Sequence, residues 1–405
     1  MNPRIRSVLF WLHLAAGLAA GLVIFVMCVT GTLLMYERQI VEWADRGFRP
    51  EAPAAGAAAL PVETLLARVR AADPASPLPS GVTRQADPAA PALVNLGRER
   101  SLYVDPYTGK ILGEASPRVR AFFRAVTDWH RWLAAKGESR DRGRAATGAS
   151  NLAFLFLVLS GIFLWLPRRW NRPQLRLRTW FRRGVSAKAR DFNWHHVIGL
   201  WSWLPLVLIV ATGVVMSYPW ANALLFRLAG DTPPRQGGPG GAGAPQGGER
   251  RGGGRGQAEL QLEGLDEMWA AAEHQAAERM PGWQSLSLRL PSSAEAPVTF
   301  SVTAGDRGRP DLRAQLSFDR ATGAAKWEGY ADQSPGRRLR TWARWTHTGE
   351  AAGFLGQTVA GLVSAGAALL VWTGFALAWR RFFPRRRGAA QTEETVDPES
   401  ALTEV

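Results

Sequence analysis

Four apolar stretches of membrane-spanning length decide most of what this chain can become. A bilayer core admits only segments whose backbone polar groups are satisfied internally, which means helices or closed barrels. The stretches run from about Val8 to Met35, Asn151 to Pro167, Val197 to Tyr218 and Phe354 to Trp379. The first is too long for a signal-peptide core and has no clean cleavage site, so it is expected to be a retained helix. Pro205 lies inside the third and predicts a kink that neighbouring helices tolerate. Polar sections rich in Pro and Gly separate the stretches, and a single soluble domain is excluded.

The charge distribution orients the spans. The 405 residues carry 49 Lys and Arg against 34 Asp and Glu, a formal charge of +15. Residues 168–190 hold eight Arg and one Lys with no acid, and Arg380, Arg381 and Arg385–Arg387 follow the fourth span. Residues 37–128, by contrast, hold 12 basic and 11 acidic side chains. The positive-inside rule then puts both termini and 168–190 in the cytoplasm, with 37–148 and 219–346 outside. Much of the positive charge is therefore topogenic, and no nucleic-acid partner is expected. The one cysteine, Cys28, lies in the first span. It excludes a disulfide within the chain, an all-cysteine zinc site and a cysteine-held iron–sulfur cluster.

The outer sections repeat a plan. Residues 37–116 predict a small α+β module with a helix in PVETLLARVRAAD and strands ending in SLYVDPYTGKILGE. Residues 258–330 predict a second, with a helix in LEGLDEMWAAAEHQAA and strands in SLSLRL, APVTFSVTA and AQLSFDRATGAAKWEG. The turn sequence at 318–323 answers the one at 104–109, and both are hairpin signals. Residues 231–257, with 11 Gly and 4 Arg, predict a disordered linker. The remaining divisions are a first helix in 1–36, a histidine-bearing helix and connection in 117–148, and spans in 149–167 and 192–218 flanking a basic loop, 168–191. A histidine-bearing segment with the last span occupies 338–380, and a tail 381–405.

The spans repeat as well, and this is the sharpest signal. His13, Gly17 and Thr30-Gly31 in the first recur at the same offsets as His195, Gly199 and Thr212-Gly213 in the third. His130 precedes the second span and His347 the fourth, and those spans carry Ser160-Gly161 and Thr373-Gly374. An ionisable residue at the edge of a span is costly unless it faces the bundle and has a partner. By direction of travel, His13 and His195 lie at one depth near the inner face, and His130 and His347 at or above the outer face. Two histidines at equal depth on different helices can hold a planar macrocycle from both sides. Gly17 and Gly199, one turn after a histidine on the same face, would leave room for it. Zinc is disfavoured because the pairs do not bring three or four ligands to one point, and no Met- or Cys-rich cluster supports copper. His196 points about 100° from His195 on a helix and is assigned to the surface or to propionate contact. His274 is expected on an exposed helix face. Neither a dinucleotide fingerprint nor a Walker motif is present.

With these motifs in hand, the sequence resembles the PepSY-associated transmembrane family, the iron-regulated membrane proteins that include ferric-siderophore reductases. The carriers are WLHLAAGL and VTGTLLMYE in 11–37, YVDPYTGKILGE at 103–114, DWHRWL at 128–133, SGIFLWLP at 160–167, NWHHVIGLW and ATGVVMS in 193–217, FDRATG at 318–323 and THTGEAAG at 346–353. The resemblance implies a four-helix transmembrane bundle with two small periplasmic α+β PepSY-like modules. It implies two b-type haems, with His13 and His195 on the inner iron and His130 and His347 on the outer. The implied activity is reduction of a periplasmic ferric chelate such as a ferric siderophore, from a separate cytoplasmic or membrane electron donor, in the bacterial inner membrane. His196 and the 231–257 insertion depart from the pattern. Two rival readings are a membrane-tethered PepSY regulator of peptidases and a siderophore or metal transporter. A tether needs no matched histidines, and no broken-helix pair marks a transporter.

One further expectation is geometric. His130 lies so far ahead of the second span that a continuous helix would lift it roughly 30 Å above the apolar boundary. A break in Lys136–Gly148 is therefore predicted, folding His130 back to within about 11 Å of His347.

Overall fold

A computed structural model describes residues 3–51, 57–97, 100–167, 170–233, 263–291, 296–305, 308–320 and 322–383. Its helices up to the basic loop are α1 (Pro3–Leu34), α2 (Glu37–Asp45), α3 (Val62–Ala72), α4 (Pro117–Trp132), α5 (Arg140–Trp165) and α6 (Arg172–Thr179). After it come α7 (Ala187–Ser217), α8 (Pro219–Leu228), α9 (Leu265–Arg279), α10 (Pro335–His347) and α11 (Gly353–Phe382). The strands are β1 (Pro79–Gln85), β2 (Ala92–Leu96), β3 (Arg100–Val104), β4 (Ile111–Glu114), β5 (Ser285–Arg289), β6 (Val298–Thr303), β7 (Arg313–Phe318) and β8 (Ala325–Gly329).

The helices α1, α5, α7 and α11 are long and apolar enough to cross a membrane. They pack in a ring, each against the next, with α1 and α7 on opposite corners. Ile24, Val158, Leu206, Val363 and Ala367 fill the middle. The inward face of α11 is made of small residues, Ala360, Gly361, Ser364, Ala367 and Ala368, which let backbones approach where no hydrophobic gradient drives helices together. Leu22, Trp201, Leu362 and Trp372 point away from the bundle, as lipid-facing side chains should. At the basic end, Arg6 donates to the carbonyls of Leu164 and Leu166, and Arg178 donates to that of Trp165. These cations satisfy the last carbonyls of α5. Asp191, buried near the start of α7, pairs with Arg190 and with Arg380 of α11.

At the other end stands one eight-stranded antiparallel sheet in the order β4-β3-β2-β1-β5-β6-β7-β8. This corrects the expectation of two separate modules. Each αββββ unit exists, but β1 pairs with β5 from Gly81 opposite Arg289 to Gln85 opposite Ser285, fusing the two meanders. The middle pair, Thr83 and Ser287, joins its hydroxyls at 2.8 Å. Helices α3 and α9 supply Leu65, Leu66, Val69, Leu265, Trp269 and Ala272 to one core with Val82, Val94, Leu286 and Phe300 of the sheet. Each such Leu, Val or Phe side chain, fully buried, contributes about 1.5–3 kcal/mol. The helix starts cap one another. Glu63 accepts from the N–H groups of Leu265 and Asp266, and Asp266 accepts from that of Glu63.

The two predicted turns share their atomic detail. Asp105 Oδ1 accepts from the Thr108 N–H, and Gly109 adopts φ +69°. Asp319 Oδ1 accepts from the Thr322 N–H, and Gly323 also has φ +69°. The sheet is tied to the bundle through Asp45, at the end of α2, which takes Arg120 at 2.6 Å, Ser116 and the Tyr103 hydroxyl at 3.1 Å. Burial, then the nearby Asp45 carboxylate, push the Tyr103 phenol up to about 12.

Several boundaries move. The helices extend beyond the expected spans: α5 begins at Arg140, ahead of 149, and α7 at Ala187, ahead of 192. His347 ends its own helix instead of continuing into the fourth span, because Gly349 and Gly353 turn left-handed between α10 and α11. Residues 234–257 of the expected linker and the tail beyond 383 lie outside the described residues.

Candidate functional site

The four histidines fall at the two ends of the bundle. His13 on α1 and His195 on α7 sit at the basic end, on opposite corners of the ring. His130 at the end of α4 and His347 at the end of α10 meet at the sheet end with ring centres 6.5 Å apart. The chain does break after His130. Leu133 and Ala134 adopt φ 53° and 57°, and a 3-10 turn at Gly137–Ser139 leads into α5. The break thus starts three residues before the predicted Lys136–Gly148 window. Gly143 lets α5 lie against α4, since a Cβ there would run into the Trp132 carbonyl. Thr147 Oγ1 donates to the Arg131 carbonyl at 2.9 Å and fixes the return.

Each histidine is held in the same way. The Nδ1 of His13 meets Ser160 Oγ at 2.8 Å, that of His195 meets Thr373 Oγ1 at 2.9 Å, and that of His130 meets Thr30 Oγ1 at 2.9 Å. His347 Nδ1 lies 2.8 Å from the Ile209 carbonyl and 3.5 Å from Thr212 Oγ1. The direction of these bonds follows from what the hydroxyl protons are already doing. Thr30 donates to the Val26 carbonyl at 2.6 Å, Thr212 to Leu208 at 2.6 Å, Thr373 to Leu369 at 2.8 Å and Ser160 to Leu157 at 3.3 Å. With the threonine protons engaged by their helices, the Thr30 and Thr373 oxygens accept, so Nδ1 of His130 and of His195 carries the hydrogen. A carbonyl can only accept, which gives His347 the same tautomer independently. These three rings are thereby left with a lone pair on Nε2, the arrangement a metal-ligating histidine uses.

The residue after each hydroxyl is glycine, and at Gly31 and Gly213 the missing Cβ makes room for the ring. A Cβ on Gly31 would lie 3.3 Å from the His130 Cε1, and on Gly213 3.2 Å from that of His347. On Gly161 and Gly374 it would lie 3.6 Å from His13 and His195. The motifs Thr30-Gly31, Ser160-Gly161, Thr212-Gly213 and Thr373-Gly374 are visible in the sequence as repeat markers, but only their packing reveals them as ring anchors. Gly17 and Gly199 touch no histidine. Each faces a leucine at 3.8 Å, Leu157 and Leu370, three residues before an anchor. His196 turns aside, bonding the Phe192 carbonyl of its own helix at 2.8 Å, and His274 is exposed.

The donor set limits what the pairs can hold. Among the described residues no three of His, Cys, Asp and Glu gather around one point, so a zinc-type site with three or four protein ligands does not fit. Two imidazoles on opposite sides of one ion, each with a bond of about 2 Å, put their ring centres about 6 Å apart. The 6.5 Å of His130 and His347 matches that spacing. An ion with two protein ligands needs its remaining positions filled by something else, and a porphyrin does so. The spacing of His130 and His347 would accommodate haem.

Among known families, the one described as the PepSY-associated TM region matches residues 10–381. No curated protein matches the chain.

Proposed function

Since the chain belongs to the PepSY-associated transmembrane family over residues 10–381, we propose that it is an inner-membrane dihaem oxidoreductase. It passes electrons from the cytoplasmic side to a ferric chelate, such as a ferric siderophore, in the periplasm. The observation that carries this reading is the facing of His130 and His347 with both Nδ1 atoms engaged.

His13 and His195 would hold the inner b-type haem, with Gly17 and Gly199 beside it, and His130 and His347 the outer. Bound there, haem would supply reversible one-electron chemistry, with the histidines as the protein's ligands to it. The protein's own part is positional. Ser160, Thr373, Thr30 and the Ile209 carbonyl orient the four rings, and the apolar layer of Ile24, Leu206 and Ala367 keeps water out between the pairs. Along α1, seventeen residues separate His13 from the Thr30 anchor of His130, about 25 Å of helix. The pairs therefore reach both faces of a bilayer. Positive-inside reasoning puts the α6 end in the cytoplasm and the sheet, read as two fused PepSY-like units, in the periplasm. The electron donor is a separate cytoplasmic or membrane component.

The visible spectrum of the purified protein, oxidised and then reduced with dithionite, tests this reading. Sharp b-type bands with about two haems per chain are expected. A featureless spectrum from folded protein would favour the tethered regulator.

A further inference from the structure

The sheet end of the bundle carries more positive charge than an outward-facing end should. From the end of α4 to the apolar part of α5 run Arg131, Lys136, Arg140, Arg142 and Arg144 against Glu138 and Asp141. Helix α10 adds Arg337, Arg338, Arg340 and Arg344 with no acid. Basic residues beside a span on the translocated side work against insertion topology, so their presence calls for another reason.

Their placement supplies one. Arg131 follows His130, and Arg344 lies one turn before His347 on the same face of α10. Arg131 and Arg140 stack on the Trp132 ring at 4.5 and 3.6 Å, and Arg344 and Arg313, the latter from β7, stack on Trp345 at 5.1 and 5.2 Å. Stacking holds a guanidinium by its face and leaves its N–H edge for a planar anion. Arg131, Arg144 and Arg344 make no ion pair among the described residues. Arg131, Arg144 and Arg344 thus sit, without an ion pair of their own, on the segments that carry His130 and His347 to their meeting point.

We propose that the arginines around the outer histidine pair form an anion-recognition rim that selects negatively charged iron chelates, those with carboxylate or catecholate donors, over neutral and cationic ones. The inference rests on the reductase reading for its biological sense, but binding can be tested without redox chemistry. A like-charged ligand would be repelled by the rim, and an anionic one steered to it at low ionic strength.

The test uses redox-inert gallium(III) chelates and the full chain in nanodiscs, made either of zwitterionic lipid or with anionic lipid added. Gallium tris-catecholate should bind at least about tenfold more tightly than gallium tris-hydroxamate, and added salt should narrow the gap. The double variant Arg144→Gln, Arg344→Gln, both exposed residues, should lose that preference and keep its haem content. Arg289→Gln, exposed on β5, should change neither. Equal binding of the two chelates would overturn the proposal. So would a double variant that loses haem with chelate affinity unchanged, which would assign the arginines to haem propionates. Chelate binding abolished by anionic lipid but indifferent to the variant would assign them to headgroups and equally overturn it. Selective binding by a protein with a featureless spectrum would leave the rim standing and sink the reductase reading.

Discussion

A threonine whose proton is engaged by its own helix is an acceptor, and the chain uses this device at His130 and His195. Removing the acceptor while keeping the shape therefore tests it. Thr373→Val should free the His195 ring to rotate and lower retention of the inner haem about 10- to 100-fold, the usual cost of losing an outer-shell partner. Thr30→Val should do the same to the outer haem only. Haem content per chain by pyridine haemochrome, with redox titration to tell the two components apart, reads both. Loss of both haems from either variant would contradict independent anchoring. His347 has a carbonyl as well as a hydroxyl, so Thr212→Val should be the mildest of the set. The histidines and their offsets were legible in the sequence because a repeat needs only spacing. The hydroxyl's role was not, since Ser160 and Thr373 reach their rings across 147 and 178 residues of chain.

Among elements, the reciprocal capping of α3 and α9 is the joint of the sheet. Glu63→Ala strips two N–H groups at the start of α9 of their acceptor, and Asp266→Ala strips one from α3. Each should cost about 1 kcal/mol, and the double variant should cost less than the sum because both act at one interface. Thermal unfolding in detergent measures this, and strict additivity would show that the caps act separately. The α4–α5 return is the second sensitive joint. Gly143→Val should collide with the Trp132 carbonyl, displace His130 and remove the outer haem while sparing the inner. Sequence reasoning found both helices, both meanders and their turns, because each rests on local periodicity and on Asp-to-Gly turn chemistry. It missed the β1–β5 seam, whose partners are about two hundred residues apart. It also started the break late, because Leu133 and Ala134, not a glycine, take the left-handed turn.

For the whole molecule, the repeat places α1, α4 and α5 against α7, α10 and α11 as two halves, each giving one histidine to each end. That arrangement predicts a topology that labelling can read. In a Cys28→Ser background, a cysteine at exposed Glu138 should react with an impermeant maleimide from the periplasm, and one at exposed Arg183 should react only after lysis. The reverse pattern would invert the direction of transfer. It also predicts a split phenotype: His130→Ala should abolish chelate reduction in whole cells while the inner haem is still reduced from the cytoplasmic side. The central claim is that the four histidines hold two separate haems, paired His13 with His195 and His130 with His347. A potentiometric titration of the purified protein followed in the visible bands, run on the parent, His13→Ala and His130→Ala, tests it most directly. The parent should show two b-type components, and each variant should keep one, a different one in each case. A single surviving component common to both variants, or the loss of both haems from either folded variant, would contradict the pairing.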